Sequence, residues 1–140
     1  MNLGDLAFGA ALSFAAIGSG CGIGVAGMGA VGAWKKCFVQ NKNAPFLLVA
    51  FIGMPLTQTI YGFILMNQLK GVANPGLAEL GVGVFGGIAM GVSAFFQGKV
   101  GAKAADALGE TGKGFGPFVL ALGLVETVAL FVMIFMLTAL

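Results

Sequence analysis

One carboxylate dominates the chemistry this sequence offers. Glu126 is the only ionisable side chain in the run from Pro117 to Leu140, PFVLALGLVETVALFVMIFMLTAL. A helix of ~20 apolar residues crosses the hydrocarbon core of a bilayer. Glu126 falls near the middle of such a span, where an ionised side chain costs at least ~2.5 kcal/mol and by default marks function. Three neutral polar side chains in other apolar stretches can meet it. Thr57 and Gln58 lie within MPLTQTIYG, Met54 to Gly62, and Gln97 follows Phe95 and Phe96. Counted inward from the same membrane side at helical rise, Glu126 lies ~21 Å deep, Gln58 ~17 Å and Gln97 ~27 Å, one level within the spread of the span ends. Two chemistries suit such a group. A proton carrier needs only the carboxylate, with the amides and hydroxyl as hydrogen-bond partners of the acid. Several oxygen donors around one negative charge suit a hard cation, and one anionic ligand balances a monovalent ion, so Na⁺ fits better than a divalent metal. The plain structural alternative is a protonated Glu126 that joins two helices by a hydrogen bond.

Composition narrows the rest. The chain is 59% hydrophobic and 9% charged, with mean hydropathy +1.02, whereas soluble domains carry about 25% charged residues. It reads as an integral membrane protein without a separate soluble domain. The seven basic residues are all lysine and the net charge is +2, which gives no footprint for nucleic acid. Histidine is absent, which removes the usual metal ligand and the commonest catalytic base. Cys21 and Cys37, ~24 Å apart on one helix, read as free thiols. The opening MNLGDLAFG has Asp5 where a secretory leader needs positive charge, so the first helix is expected to stay in the mature protein.

Four helices are expected to position these groups, over about residues 3–34, 45–69, 77–108 and 117–140. The first holds Gly18, Gly20, Gly22, Gly24, Gly27, Gly29 and Gly32. Its two GxGxxG matches lack the preceding strand and following acid of a dinucleotide site. In lipid a helix survives such glycine density, because the backbone must satisfy its own hydrogen bonds, and the glycines make a flat face for close helix approach. Gly83, Gly87 and Gly91 form a second such face in the third helix. Pro55 has no N–H to give the carbonyl of Phe51, which predicts a kink and loosened backbone near Thr57 and Gln58. Met54, Gln58 and Tyr61 share one helical face. Asn74-Pro75-Gly76 marks a turn. Gly112-Lys113-Gly114 lacks the Walker spacing, so no nucleotide site is expected.

The chain repeats itself. Leu3-Gly4-Asp5-Leu6 aligns with Leu77-Ala78-Glu79-Leu80, and in that register Ser19 meets Ser93, Gly24 meets Gly98 and Gly27 meets Gly101. Pro45-Phe46 aligns with Pro117-Phe118. Two helical hairpins in tandem, 1–72 and 73–140, account for this, as in a parallel duplication about the membrane normal. Met54 stands where the second hairpin has Glu126. Lys35, Lys36 and Lys42 flank the first loop, and Lys99, Lys103 and Lys113 flank the third, against Lys70 alone on the other side. The positive-inside rule therefore puts loops 35–44 and 109–116 in the cytoplasm and both termini outside.

Two tandem hairpins, glycine-rich odd helices, PLTQTIYG in helix two, FFQGK in helix three and a lone Glu in helix four resemble the rotor-ring proteolipid of V-type ATPases, most nearly the bacterial sodium-translocating type. The resemblance spans essentially the whole chain. It implies an all-α ring of copies in a bacterial plasma membrane, and a non-catalytic subunit that carries Na⁺, or H⁺ as the alternative, during rotation. It assigns the ion to Glu126, Gln58, Gln97, Thr57 and the backbone carbonyl of Met54, with Tyr61 closing the site over the carboxylate. Implied partners are copies of itself, lipid, a stator membrane subunit supplying an arginine, and central-stalk subunits on the cytoplasmic loops, with ATP hydrolysed elsewhere. A small four-helix multidrug exporter also has one intramembrane Glu, but in helix one and with little lysine bias. A structural channel-forming proteolipid has no need of Thr57, Gln58 and Gln97.

Overall fold

A computed structural model describes residues 3–140. The chain forms α1 (Leu3–Val39), α2 (Leu48–Gly53), a 3-10 turn (Met54–Leu56), α3 (Thr57–Lys70), α4 (Leu77–Thr111) and α5 (Phe115–Thr138). There is no strand among the described residues. Leu3–Val39, Leu48–Lys70, Leu77–Thr111 and Phe115–Thr138 are each long and apolar enough to cross a membrane. The fold is all-α, with four spans as the sequence implies.

Pro55 interrupts the α-helix of the second span, where its missing N–H leaves Phe51 without a helical donor. The α-helix stops at Gly53, tightens into the 3-10 turn over Met54–Leu56, and resumes at Thr57. Several helix ends differ from expectation. Lys35 and Lys36, expected in a loop, are helical, and α1 continues to Val39. Contacts with α4 support this extension: Lys36 Nζ meets Asp106 Oδ1 at 2.6 Å, and Cys37 Sγ donates to the Gly109 carbonyl at 3.3 Å. α4 likewise runs to Thr111 and is stopped by Gly112 at φ +68°, a left-handed conformation that only glycine adopts freely. The second span begins at Leu48, not Pro45, and the Trp34 indole N–H fastens Pro45 by its carbonyl at 2.8 Å. α5 begins at Phe115, so Pro117 lies in its first turn, where an absent N–H breaks no helical bond.

Small residues set the packing. A Cβ on Gly18 would overlap the Gly91 backbone, one on Gly22 the Ala94 carbonyl, and one on Gly98 the Gly22 backbone. α1 and α4 therefore touch backbone to backbone along their length. Gly83, Gly87 and Gly91 face α1 as well. Gly20, Gly24 and Gly32 look the other way and have nothing within 4 Å. Two apolar clusters fill the interior. One centres on Ala11, Ala15, Leu65, Met90 and Ala129. The other centres on Ala30, Leu48, Phe51, Ala105 and Leu122. Along every helix the polar groups singled out above fall between these two clusters. Both cysteines are free.

Candidate functional site

The site starts at the proline turn. The Thr57 hydroxyl lies 3.0 Å from the Met54 carbonyl, to which it donates, and 3.1 Å from Gln58 Oε1. Three oxygens from one tight turn thus lie side by side. Gln58 points into the bundle and is 0% exposed, as is Gln97 on α4. Gln58 Nε2 donates to Gln97 Oε1 at 2.9 Å. Gln97 Nε2 donates onward to α5, to the Leu122 carbonyl at 3.1 Å and to Glu126 Oε2 at 3.1 Å. The other carboxylate oxygen, Glu126 Oε1, accepts from the Tyr61 hydroxyl at 2.9 Å. One continuous string of polar contacts therefore joins the Met54 carbonyl, Thr57, Gln58, Gln97, Glu126 and Tyr61. All six positions expected from the sequence meet in one place, drawn from both hairpins.

The arrangement has a definite chemical sense. Both oxygens of Glu126 accept hydrogen bonds, which suits an ionised carboxylate, an acceptor-only group. Hydrogen bonds to a charged acceptor are roughly twice as strong as neutral ones. Among the described residues the ion pair is Lys36–Asp106, and no lysine pairs with Glu126. A half-buried carboxylate without a protein cation is costly unless a proton or a metal ion neutralises it. Neutral oxygens are at hand for an ion: the Met54 carbonyl, the Thr57 hydroxyl and the two glutamine amides.

Two participants escaped the sequence reading. The Ser93 hydroxyl, one helical turn from Gln97, donates to the Val125 carbonyl at 2.8 Å. Together with the Gln97 bond to Leu122 it pins α5 to α4 over the turn that leads into Glu126. The repeat alignment marked Ser93 as the counterpart of Ser19, a signal that could have drawn attention to it. The Leu122 carbonyl is a backbone group, and nothing in a sequence distinguishes it.

Residues 80–139 match the family model for the C subunit of ATP synthase. The match covers the second hairpin from Leu80 nearly to the end of the chain, including Gln97 and Glu126. It supports the rotor proteolipid family of the rotary ATPases, whose members are non-catalytic, ion-translocating subunits that form rings of copies and work with a stator subunit. Its four long apolar helices mark the chain as an integral membrane protein. No curated protein matches it.

Proposed function

We propose that this chain is the rotor-ring proteolipid of a V-type ATPase and that it carries Na⁺ across the membrane on Glu126. The observation that carries the reading is the oxygen-rich chain from Met54 to Glu126, which offers a hard monovalent cation one anionic and several neutral ligands. The tandem hairpins, with one carboxylate between them, support the V-type assignment and a duplicated origin for 1–72 and 73–140. In this reading Glu126, Gln58, Gln97, Thr57 and the Met54 carbonyl hold the ion, and Tyr61 closes the site by fixing Glu126 Oε1. The loaded site is neutral and passes through lipid. The empty site is a bare carboxylate, too costly to leave the stator, and an arginine of the stator subunit meets it there. Each charge moved across 100 mV exchanges ~2.3 kcal/mol with the soluble ATPase. The lysine-rich ends of α1 and α4 face the cytoplasm and the central stalk, both termini lie outside, and the membrane is a bacterial plasma membrane.

The test is carbodiimide labelling of Glu126 in the purified protein. The reagent attacks the protonated acid. Na⁺ at fixed pH is expected to slow labelling, and lowering the pH to reverse the protection, because H⁺ and Na⁺ compete for one carboxylate. Labelling that ignores molar Na⁺ across the pH range would overturn the sodium assignment and leave a proton carrier.

A further inference from the structure

Ser19 is the one buried side-chain polar group without a hydrogen-bond partner among the described residues, and it is only 2% exposed. Buried hydroxyls are nearly always satisfied, so such an exception asks for an explanation. Its place in the bundle supplies one. α1 and α3 run antiparallel in close contact. At one end a Cβ on Gly62 would strike Ala15 Cβ at 2.6 Å, and at the other a Cβ on Gly22 would reach Pro55 Cβ at 3.0 Å. Four residues on from Ala15 is Ser19, and four back from Gly62 is Gln58, so the two face each other between these contacts. Gln58 is 0% exposed. Its amide nitrogen has two hydrogens, and the bond to Gln97 Oε1 uses one of them.

We propose that Ser19 is a positioning residue of the ion site, its hydroxyl taking the second amide hydrogen of Gln58 across one bridging water. A buried water with several polar partners is an ordinary structural element and is enthalpically close to a direct hydrogen bond. The bond reinforces the turn of the carboxamide that the Gln97 contact already selects. With its nitrogen held toward α1 and Gln97, Gln58 keeps Oε1 beside Thr57 Oγ1 and the Met54 carbonyl, where it faces a cation. Without it the amide is held by its contacts with Gln97 and Thr57 alone, and Oε1 is a less firmly placed ligand. The duplicated serine acts in a parallel way. Ser93 ties α4 to the helix that carries Glu126, and Ser19 ties α1 to the helix that carries Gln58. This inference rests on the sodium-carrier reading, since it assigns Ser19 a part in holding that ion.

The experiment is carbodiimide labelling of the assembled ring for wild type, Ser19→Ala and Ser19→Cys. Two midpoints are read: the Na⁺ concentration that halves labelling at fixed pH, and the pH of half-maximal labelling in sodium-free buffer. Losing one net hydrogen bond, ~0.5–1.5 kcal/mol, is expected to raise the sodium midpoint about three- to tenfold in Ser19→Ala, with Ser19→Cys between it and wild type. The pH midpoint is expected to stay in place, because protonation of Glu126 does not call on the Gln58 oxygen. If Ser19→Ala does not assemble, the nearly isosteric Ser19→Cys, a weak hydrogen bonder, carries the comparison. An unmoved sodium midpoint beside clear wild-type protection overturns the role of Ser19 alone, and its hydroxyl then bonds back to its own helix. Equal movement of both midpoints also overturns it, in favour of a packing role. Wild-type labelling indifferent to Na⁺ overturns this inference and the sodium reading together.

Discussion

Glu126 is held by two donors from two different helices, and each donor has a separable consequence. Glu126→Gln keeps the shape of the side chain but removes the charge that, on the proposed reading, binds the cation, so ion transport in reconstituted membranes is expected to vanish while the ring still assembles. Retained sodium transport in that variant would overturn the assignment. Tyr61→Phe removes only the hydroxyl on Glu126 Oε1. Hydrogen bonds to charged groups contribute ~1.5–3 kcal/mol, so the sodium midpoint of labelling is expected to rise at least about tenfold, and ion release to quicken. An unchanged midpoint would take Tyr61 out of the site. Thr57, Gln58, Gln97 and Glu126 were legible in the sequence because a polar side chain within an apolar span must be satisfied somewhere, and few others were on offer. Ser19 and Ser93 gave no such signal, since a serine in a membrane helix can satisfy its hydroxyl on its own backbone. Beyond their matching places in the repeat, only the third dimension separates those two from any other small residue.

The helices place these groups by backbone contact, and the two faces of α1 differ in what they tolerate. A Cβ on Gly22 would overlap the Ala94 carbonyl, a backbone atom that cannot swing aside, whereas Gly20 has nothing within 4 Å. Gly22→Ala is therefore expected to destabilise the protein by ~1–3 kcal/mol, the usual range for overpacking a tight interior, and Gly20→Ala to leave the packing within one chain unchanged. Thermal unfolding in detergent, dissociated to single chains, checks the contrast, and equal stability of the two variants would refute it. The break in the helix at Pro55 was legible because proline removes a helical donor and its place in the sequence fixes where that falls. The helix ends were not. Lys35, Lys36 and the stretch from Gly109 to Thr111 look polar enough for loops, but polar residues continue a helix wherever a neighbour lies alongside. Here α1 and α4 overrun the apolar segment together and join through Lys36 and Asp106, a pairing across the two hairpins that only the repeat register could have suggested.

At the scale of the whole molecule, one chain leaves surfaces that call for more of itself. Ile17, Met28, Phe85, Phe96, Leu120 and Leu124 are exposed, and so is the glycine face of α1 at Gly20 and Gly24. Lipid can cover bulky apolar side chains, but a flat glycine face gains most from another helix laid close against it. A ring of copies uses both, with glycine faces between neighbours and bulky residues toward lipid. Mass measurement in mild detergent is expected to give one large oligomer whose mass is a whole multiple of 14.1 kDa. A monomer or a dimer would instead favour the exporter-like alternative. On the proposed reading the ring would also fix the stoichiometry of its cargo. Each chain brings two hairpins but one carboxylate at mid-span, since Met54 takes the corresponding place in the first hairpin. Saturating carbodiimide is therefore expected to add one label per chain, and equilibrium binding of ²²Na⁺ to reach one ion per chain, half the number of hairpins around the ring. Two bound ions per chain would mean that the first hairpin holds a site of its own, and would break the link between Glu126 and the ions carried in each turn.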